Sequence, residues 1–159
     1  MKSTVAIYDS HWTSLDAVEM LKNKSYPVNQ LSIMGQAKII DLGHKKSKKP
    51  LKNENGGIVL GSTLGVLPGA GIFAVPGFGY VFGAGAIKKE LAGYVIGLIG
   101  DGIVAIFEKI GIKKDRINKY SKYLKAGNFL VIAQGNEEEV RKAKDLLSKS
   151  GKNIEVSIN

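Results

Sequence analysis

The two ends of the chain show the same order of hydrophobic and polar positions, namely a strand, a helix and a second strand. Residues 4–9 read as a strand, with Val5 and Ile7 on one face. Apolar residues then recur at helical spacing up to about Lys24, and residues 31–34 return to a strand pattern. The N-terminal end is therefore predicted to form a β-α-β unit.

The C-terminal end repeats this plan with clearer boundary signals. Residues 128–133 are rich in β-branched and aromatic side chains, which favour a strand. Asn136 and Glu139 are spaced as in a capping box, and Gly151 is placed to end the helix that follows. Residues 154–158 alternate as an edge strand does. A second β-α-β unit is predicted.

The two units align at a constant offset of 125 residues, which places Val5 on Leu130 and Ile7 on Ile132. Two such units can bury their bare helix faces on one four-stranded antiparallel sheet. We therefore predict an α+β fold, a ferredoxin-like β-α-β-β-α-β sandwich formed by residues 1–43 and 127–159. The alternative is that any two β-α-β units look alike, with no shared sheet.

The middle of the chain follows a different pattern. Residues 56–87 contain ten glycines and no charged side chain. Residues 56–126 are predicted as a glycine-rich helical insertion between the second and third strands, joined by a basic linker at 44–55. The predicted helices are 57–67, one from about Tyr80 to Leu91, one from Leu91 to Ile110, and Asp115–Lys125.

Small residues recur along this insertion at four-residue spacing, which allows close approach between helix backbones. The predicted helix-packing and oligomerisation residues are Gly57, Gly61, Gly65, Gly69, Gly93 and Gly97. Three arrangements would remove the apolar run from water: association with a membrane, burial between subunits of a soluble homo-oligomer, or a private core against the chain's own sheet. Two clean membrane crossings are disfavoured because Asp101 would lie inside the second one. Interfacial helices or a shallow hairpin are preferred.

The charge of the chain also indicates a partner. The net charge is +9, which predicts attraction to anionic lipid or nucleic acid. The residues predicted to contact an anionic surface are Lys45, Lys46, Lys48, Lys49 and Lys52. Their position beside an apolar segment favours lipid, and nucleic acid is unlikely because Phe129 has no aromatic neighbour for base stacking. No signal peptide is recognised at the start, so we expect the protein in the cytoplasm or on the cytoplasmic side of the membrane.

Several of these features together resemble a known group. Residues 75–79, the pair Gly111 and Ile112 before a tyrosine-bearing helix, and residues 124–131 resemble small bacterial general-stress proteins of the heat- or low-temperature-induced type, which carry a glycine-zipper insertion. The resemblance covers nearly the whole chain. It implies stress-linked expression and supplies no catalytic residues.

Candidate chemistry is sparse. The chain has no cysteine, which excludes thiolate catalysis and cysteine metal sites. His11 and His44 have no carboxylates at ligand spacing and are predicted to be solvated, and Asp101 is predicted to be a helix cap. We therefore predict a non-enzymatic protein without cofactors that associates with itself and with an anionic membrane surface. The alternatives are a soluble homo-oligomer and a module that binds a small ligand or nucleic acid.

Overall fold

The computed structural model describes residues 2–37, 67, 69–75, 77–89 and 102–159. Within these ranges the elements are β1 Lys2–Tyr8, α1 His11–Asn23, a 3-10 turn Val28–Gln30, β2 Leu31–Gln36, β3 Ala70–Val75, β4 Gly79–Gly85, α2 Ile103–Lys109, α3 Lys114–Lys125, β5 Phe129–Gly135, α4 Glu137–Ser150 and β6 Glu155–Ile158. The predicted α+β class is confirmed.

The strands form one antiparallel sheet in the order β3-β4-β2-β5-β1-β6. Strand β5 lies between β1 and β2, with Val5 opposite Ile132 and Ile33 opposite Val131. The two ends of the chain therefore share one sheet. The sheet is wider than the four strands predicted, because β3 and β4 from the middle of the chain extend it beyond β2.

One face of the sheet is covered by α1 and α4. Ala6, Tyr8, Phe129 and Val131 point from the strands into this layer, where Val18, Leu21, Ala143 and Leu147 meet them. The capping box that begins α4 is confirmed: the Glu139 amide donates to Asn136 Oδ1 and the Asn136 amide donates to Glu139 Oε2, both at 2.9 Å. Gly151 ends the helix in the left-handed conformation, with φ of 72°.

The opposite face of the sheet is covered by α2 and α3. The alternate strand residues Val5, Ile7, Leu130 and Ile132 pack there with Ile106, Phe107, Ile117, Tyr120 and Leu124. Helix α3 agrees with the helix predicted for residues 115–125. Because both faces are covered, every residue of β5 is buried. For these residues of the insertion, burial against the chain's own sheet is the arrangement observed.

Two strands from the uncharged run, Ala70–Val75 and Gly79–Gly85, pair as a hairpin, so the helix predicted from Tyr80 is wrong over Tyr80–Gly85. Val81 and Phe82 point to opposite faces of the sheet, and each packs in a different core layer. Burial on alternate faces has the two-residue period of a strand. The connection passes through Gly77 and Gly79, whose φ values of 86° and 69° suit glycine in a tight turn.

Gly69 was predicted to lie on a helix-packing face, and this is also wrong. It precedes β3 with φ of 75°, and its carbonyl accepts from the Gly85 amide at 3.2 Å. Gly85 itself has φ of 81°, and a Cβ there would lie 2.1 Å from the carbonyl oxygen of Leu31. In residues 69–85 the glycines therefore allow the turns of the hairpin and the close approach of β4 to β2.

Candidate functional site

The remaining sequence-predicted site residues lie outside the described residues. They are Gly57, Gly61, Gly65, Gly93, Gly97, Lys45, Lys46, Lys48, Lys49 and Lys52, together with His44 and Asp101 from the chemistry considered above. Other residues, on helix α3 and the β3–β4 hairpin, form the candidate site.

Helix α3 has one apolar and one cationic side. Ile117, Tyr120 and Leu124 are buried against the sheet. Lys114, Lys122 and Lys125 are exposed and recur after eight and three residues, which keeps them on one side of a helix with 3.6 residues per turn. We call these three residues the lysine stripe. Burial of the apolar side therefore fixes the stripe toward solvent.

The two helical layers differ in charge. Residues 102–127, which contain α2 and α3, hold seven basic and two acidic residues, a net charge of +5. Helices α1 and α4 on the other face hold five basic and six acidic residues, a net charge of −1. The positive potential of the described domain is thus concentrated on the α2–α3 side.

The hairpin places the Phe78 ring beside the lysine stripe. Lys125 Nζ lies 4.9 Å from the centroid of the Phe78 ring, within the range of a cation–π contact. Tyr80 is 69% exposed and Ile72 is 51% exposed. We call residues 77–80 the hairpin tip. Phe78 adjoins the C-terminal end of α3, so a cationic and an apolar side chain meet there. Tyr80 and Ile72 lie on the face of the sheet that Phe82 shares, toward α1 and α4.

A groove runs along the exposed side of α3. It has a volume of about 620 Å³ and is lined by Asp115, Asn118, Lys119, Lys122, Tyr123 and Asn128. Lys119 forms an ion pair with Glu155 of β6, and Gln36 Nε2 donates to the Lys125 carbonyl at 3.4 Å. These contacts tie the middle and the C-terminal end of α3 to the sheet.

His11 differs from its prediction, because it is buried rather than solvated. The side chain is 1% exposed and lies among three aromatic rings, those of Trp12, Phe82 and Phe129, at centroid distances of 5.3 to 5.5 Å. Burial lowers the pKa of His11 to about 4. Across the part of the chain that the structure describes, no group of three histidine, aspartate or glutamate side chains is arranged to hold a metal ion.

Phe129 is fully buried beneath α1 and α4, as is Tyr8. The sheet therefore offers neither ring to a stacked base.

Among the described residues, no helix has both the length and the apolar character needed to cross a bilayer. Comparisons with family models, with characterised proteins and with solved structures found no match to this chain. The candidate site is therefore interpreted from its own geometry and charge.

Proposed function

We propose that this chain is a non-enzymatic protein that binds an anionic membrane surface through the lysine stripe and the hairpin tip, and that it self-assembles through its glycine-rich insertion. The observation that carries the membrane part is the net charge of +5 on the α2–α3 layer, next to the partly exposed ring of Phe78. Lysine near an anionic membrane contributes about 1 kcal/mol per residue.

The binding we propose is peripheral and sensitive to salt. Lys122 and Lys125 together supply about 2 kcal/mol, and Lys114, which also pairs with Glu108 at 3.3 Å, adds less than a free lysine does, which gives reversible attachment. This attraction decays over a Debye length of about 10 Å at 0.1 M salt. Insertion of Phe78 adds an apolar contribution that salt does not screen. Both components are needed for stable attachment at physiological ionic strength.

We also propose the ferredoxin-like arrangement for the two chain ends. The order β6-β1-β5-β2, with α1 and α4 on one face, supports it. In this arrangement the open face of the sheet is occupied by α2 and α3 from the insertion. That occupation disfavours base stacking on the sheet and leaves the outer surface of α3 as the contact region.

Self-assembly rests on the glycine spacing at Gly57, Gly61 and Gly65, and membership of the general-stress group rests on the resemblance given above. The second candidate, a soluble homo-oligomer, is favoured by the hairpin: β3 is an edge strand of the described sheet, it contains no charged residue, and its Ile72 is half exposed. Uncharged apolar edge strands pair readily with other chains.

Vesicle co-sedimentation separates these possibilities. We expect the protein to pellet with vesicles containing anionic phosphatidylglycerol and to remain in solution with neutral phosphatidylcholine. The variant Lys114→Glu/Lys122→Glu/Lys125→Glu should lose most of this binding. The matched control carries the same three charge reversals on exposed lysines of α4, namely Lys142→Glu/Lys144→Glu/Lys149→Glu. Equal loss in both variants would indicate a general charge effect and would remove the lysine stripe as the contact.

The assembly part is tested by native mass with and without detergent. The variant Gly61→Leu/Gly65→Leu should give smaller species by light scattering. An unchanged mass for this variant would contradict assembly through these glycines. A large particle that does not bind vesicles would favour the soluble homo-oligomer.

A further inference from the structure

A small pocket lies on the α1–α4 face of the sheet, away from α3. Strand β6 starts beside the end of β1, with Glu155 opposite Ile7, so the C-terminal end of α4 and the first half of α1 meet above Tyr8. The pocket between them has a volume of about 190 Å³. Its lining residues are Tyr8, Thr13, Asp16, Met20, Ser150 and Lys152, with Ala17 in the wall.

The Tyr8 ring forms the buried end of the pocket, and its hydroxyl is closed off from solvent there. Tyr8 is fully buried, and its hydroxyl lies near that of Ser150 without completing a hydrogen bond of normal geometry. Burial raises the pKa of Tyr8, and the nearby Ser150 hydroxyl offsets this only in part, so the phenol keeps its proton at neutral pH. Ser150 Oγ donates to the Leu147 carbonyl at 2.7 Å. A buried hydroxyl without a partner loses free energy that a ligand acceptor would restore.

The rim of the pocket carries two opposite charges that are not paired with each other. Asp16 and Lys152 are both exposed, and neither forms an ion pair within the described part of the chain. Ala17 and Met20 supply an apolar wall between the rim and Tyr8. At about 30 Å³ per water molecule, the pocket volume matches a ligand of roughly six non-hydrogen atoms.

We propose that this pocket binds a small zwitterion of the α-amino acid class. After a side-chain movement that opens the Tyr8 hydroxyl to the pocket, the ligand carboxylate accepts from that hydroxyl and pairs with Lys152. The ammonium group pairs with Asp16, and the short apolar side chain contacts Met20. Each ligand group has a chemically matched partner, and a hydrogen bond to a carboxylate is stronger than one between neutral groups. The pocket shares no residue with the lysine stripe, so the result of its test does not depend on the membrane proposal.

The test is to titrate the full chain separately with L-alanine, propionate and ethylammonium. Binding is measured from the NMR chemical shifts of the backbone amides around the pocket. L-alanine should give saturable shifts in the millimolar range, and each of the other two, which keeps half of the zwitterion, should bind more weakly. Tyr8→Phe should weaken alanine and propionate about tenfold or more. It should leave ethylammonium unchanged. Asp16→Asn should weaken alanine and ethylammonium and leave propionate unchanged.

Tyr26→Phe is the matched control, because Tyr26 is also buried in the α1–α4 layer but its hydroxyl donates to the Gln134 carbonyl at 2.8 Å, and it does not line the pocket. Its alanine affinity should equal that of the unmodified chain. The proposal is overturned if L-alanine gives no saturable shifts, or if Tyr8→Phe weakens propionate and ethylammonium equally.

Discussion

Acidification should destabilise this protein through His11. The pKa of His11 is about 4 in the folded state, because the ring is buried among aromatic side chains, and about 6.5 when the chain is unfolded. Between these values the unfolded state binds a proton that the folded state excludes. Stability therefore rises with pH in this window. The contribution of His11 is fully present above pH 6.5 and is lost progressively as the pH falls to 4.

The magnitude follows from the two pKa values. One pKa unit corresponds to about 1.36 kcal/mol, so complete protonation of His11 costs about 3 kcal/mol of folding free energy. Integrated from pH 7 to pH 5, the loss is about 2 kcal/mol. That is a large share of a typical stability of about 5–15 kcal/mol, and it occurs above the pH at which ordinary carboxylates titrate.

Chemical denaturation at pH 7, 6 and 5 measures this effect directly. The unmodified chain should lose about 2 kcal/mol across the series. His11→Phe keeps an aromatic ring in the cluster and removes the titrating group, so its stability should change little with pH. His44→Gln, which removes the other of the two histidines, serves as the control and should retain the full dependence. The reasoning is refuted if His11→Phe keeps the slope, or if His44→Gln abolishes it.

The remaining predictions concern stability and use the same denaturation measurement. Tyr26→Phe removes a buried hydrogen bond and should cost about 1 kcal/mol, whereas Tyr8→Phe should be close to neutral; equal losses would contradict the different hydrogen bonding of the two hydroxyls. Asn136→Ala should cost about 1 kcal/mol by breaking the capping box of α4, and an unchanged midpoint would show that the cap contributes nothing. Gly85→Ala should cost at least about 2 kcal/mol, because it combines a left-handed φ with a backbone clash, and Gly77→Ala should cost less, since its Cβ would meet open space.

Local signals in the sequence predict several elements well. The Asn136 capping box and the glycine stop at Gly151 bound helix α4 because both are formed by neighbours in the chain. The apolar spacing of Ile117, Tyr120 and Leu124 likewise predicts α3 and its buried side. These features depend on the 3.6-residue period and on short-range hydrogen bonds.

The hairpin could not be predicted in the same way. Residues 70–85 are apolar and rich in glycine, so a helix and a strand are both compatible with their composition. The strand is selected because β4 pairs with β2, where Gly35 faces Phe82 and Met34 faces Gly83. This pairing joins segments about fifty residues apart, and a pattern read along the chain does not contain it.

The candidate sites likewise combine features that follow from composition with features that depend on tertiary contacts. A basic net charge and its bias toward an anionic partner follow from composition. The concentration of that charge on the α2–α3 layer, the position of Phe78 under Lys125, and the burial of His11 depend on which elements meet across the sheet. The pocket at Tyr8 unites residues from the start and the end of the chain, including Asp16 and Lys152.

The sequence by itself therefore determined the α+β class, the two matching chain ends, the caps of α4 and the amphipathic α3, because local periodicity and neighbouring hydrogen bonds suffice for these. Only the tertiary structure decided that residues 70–85 extend the sheet, that both faces of the sheet are covered, and that His11 is desolvated. The physical reason is that burial and strand pairing are properties of contacts between distant segments, and their free energies outweigh weak local preferences.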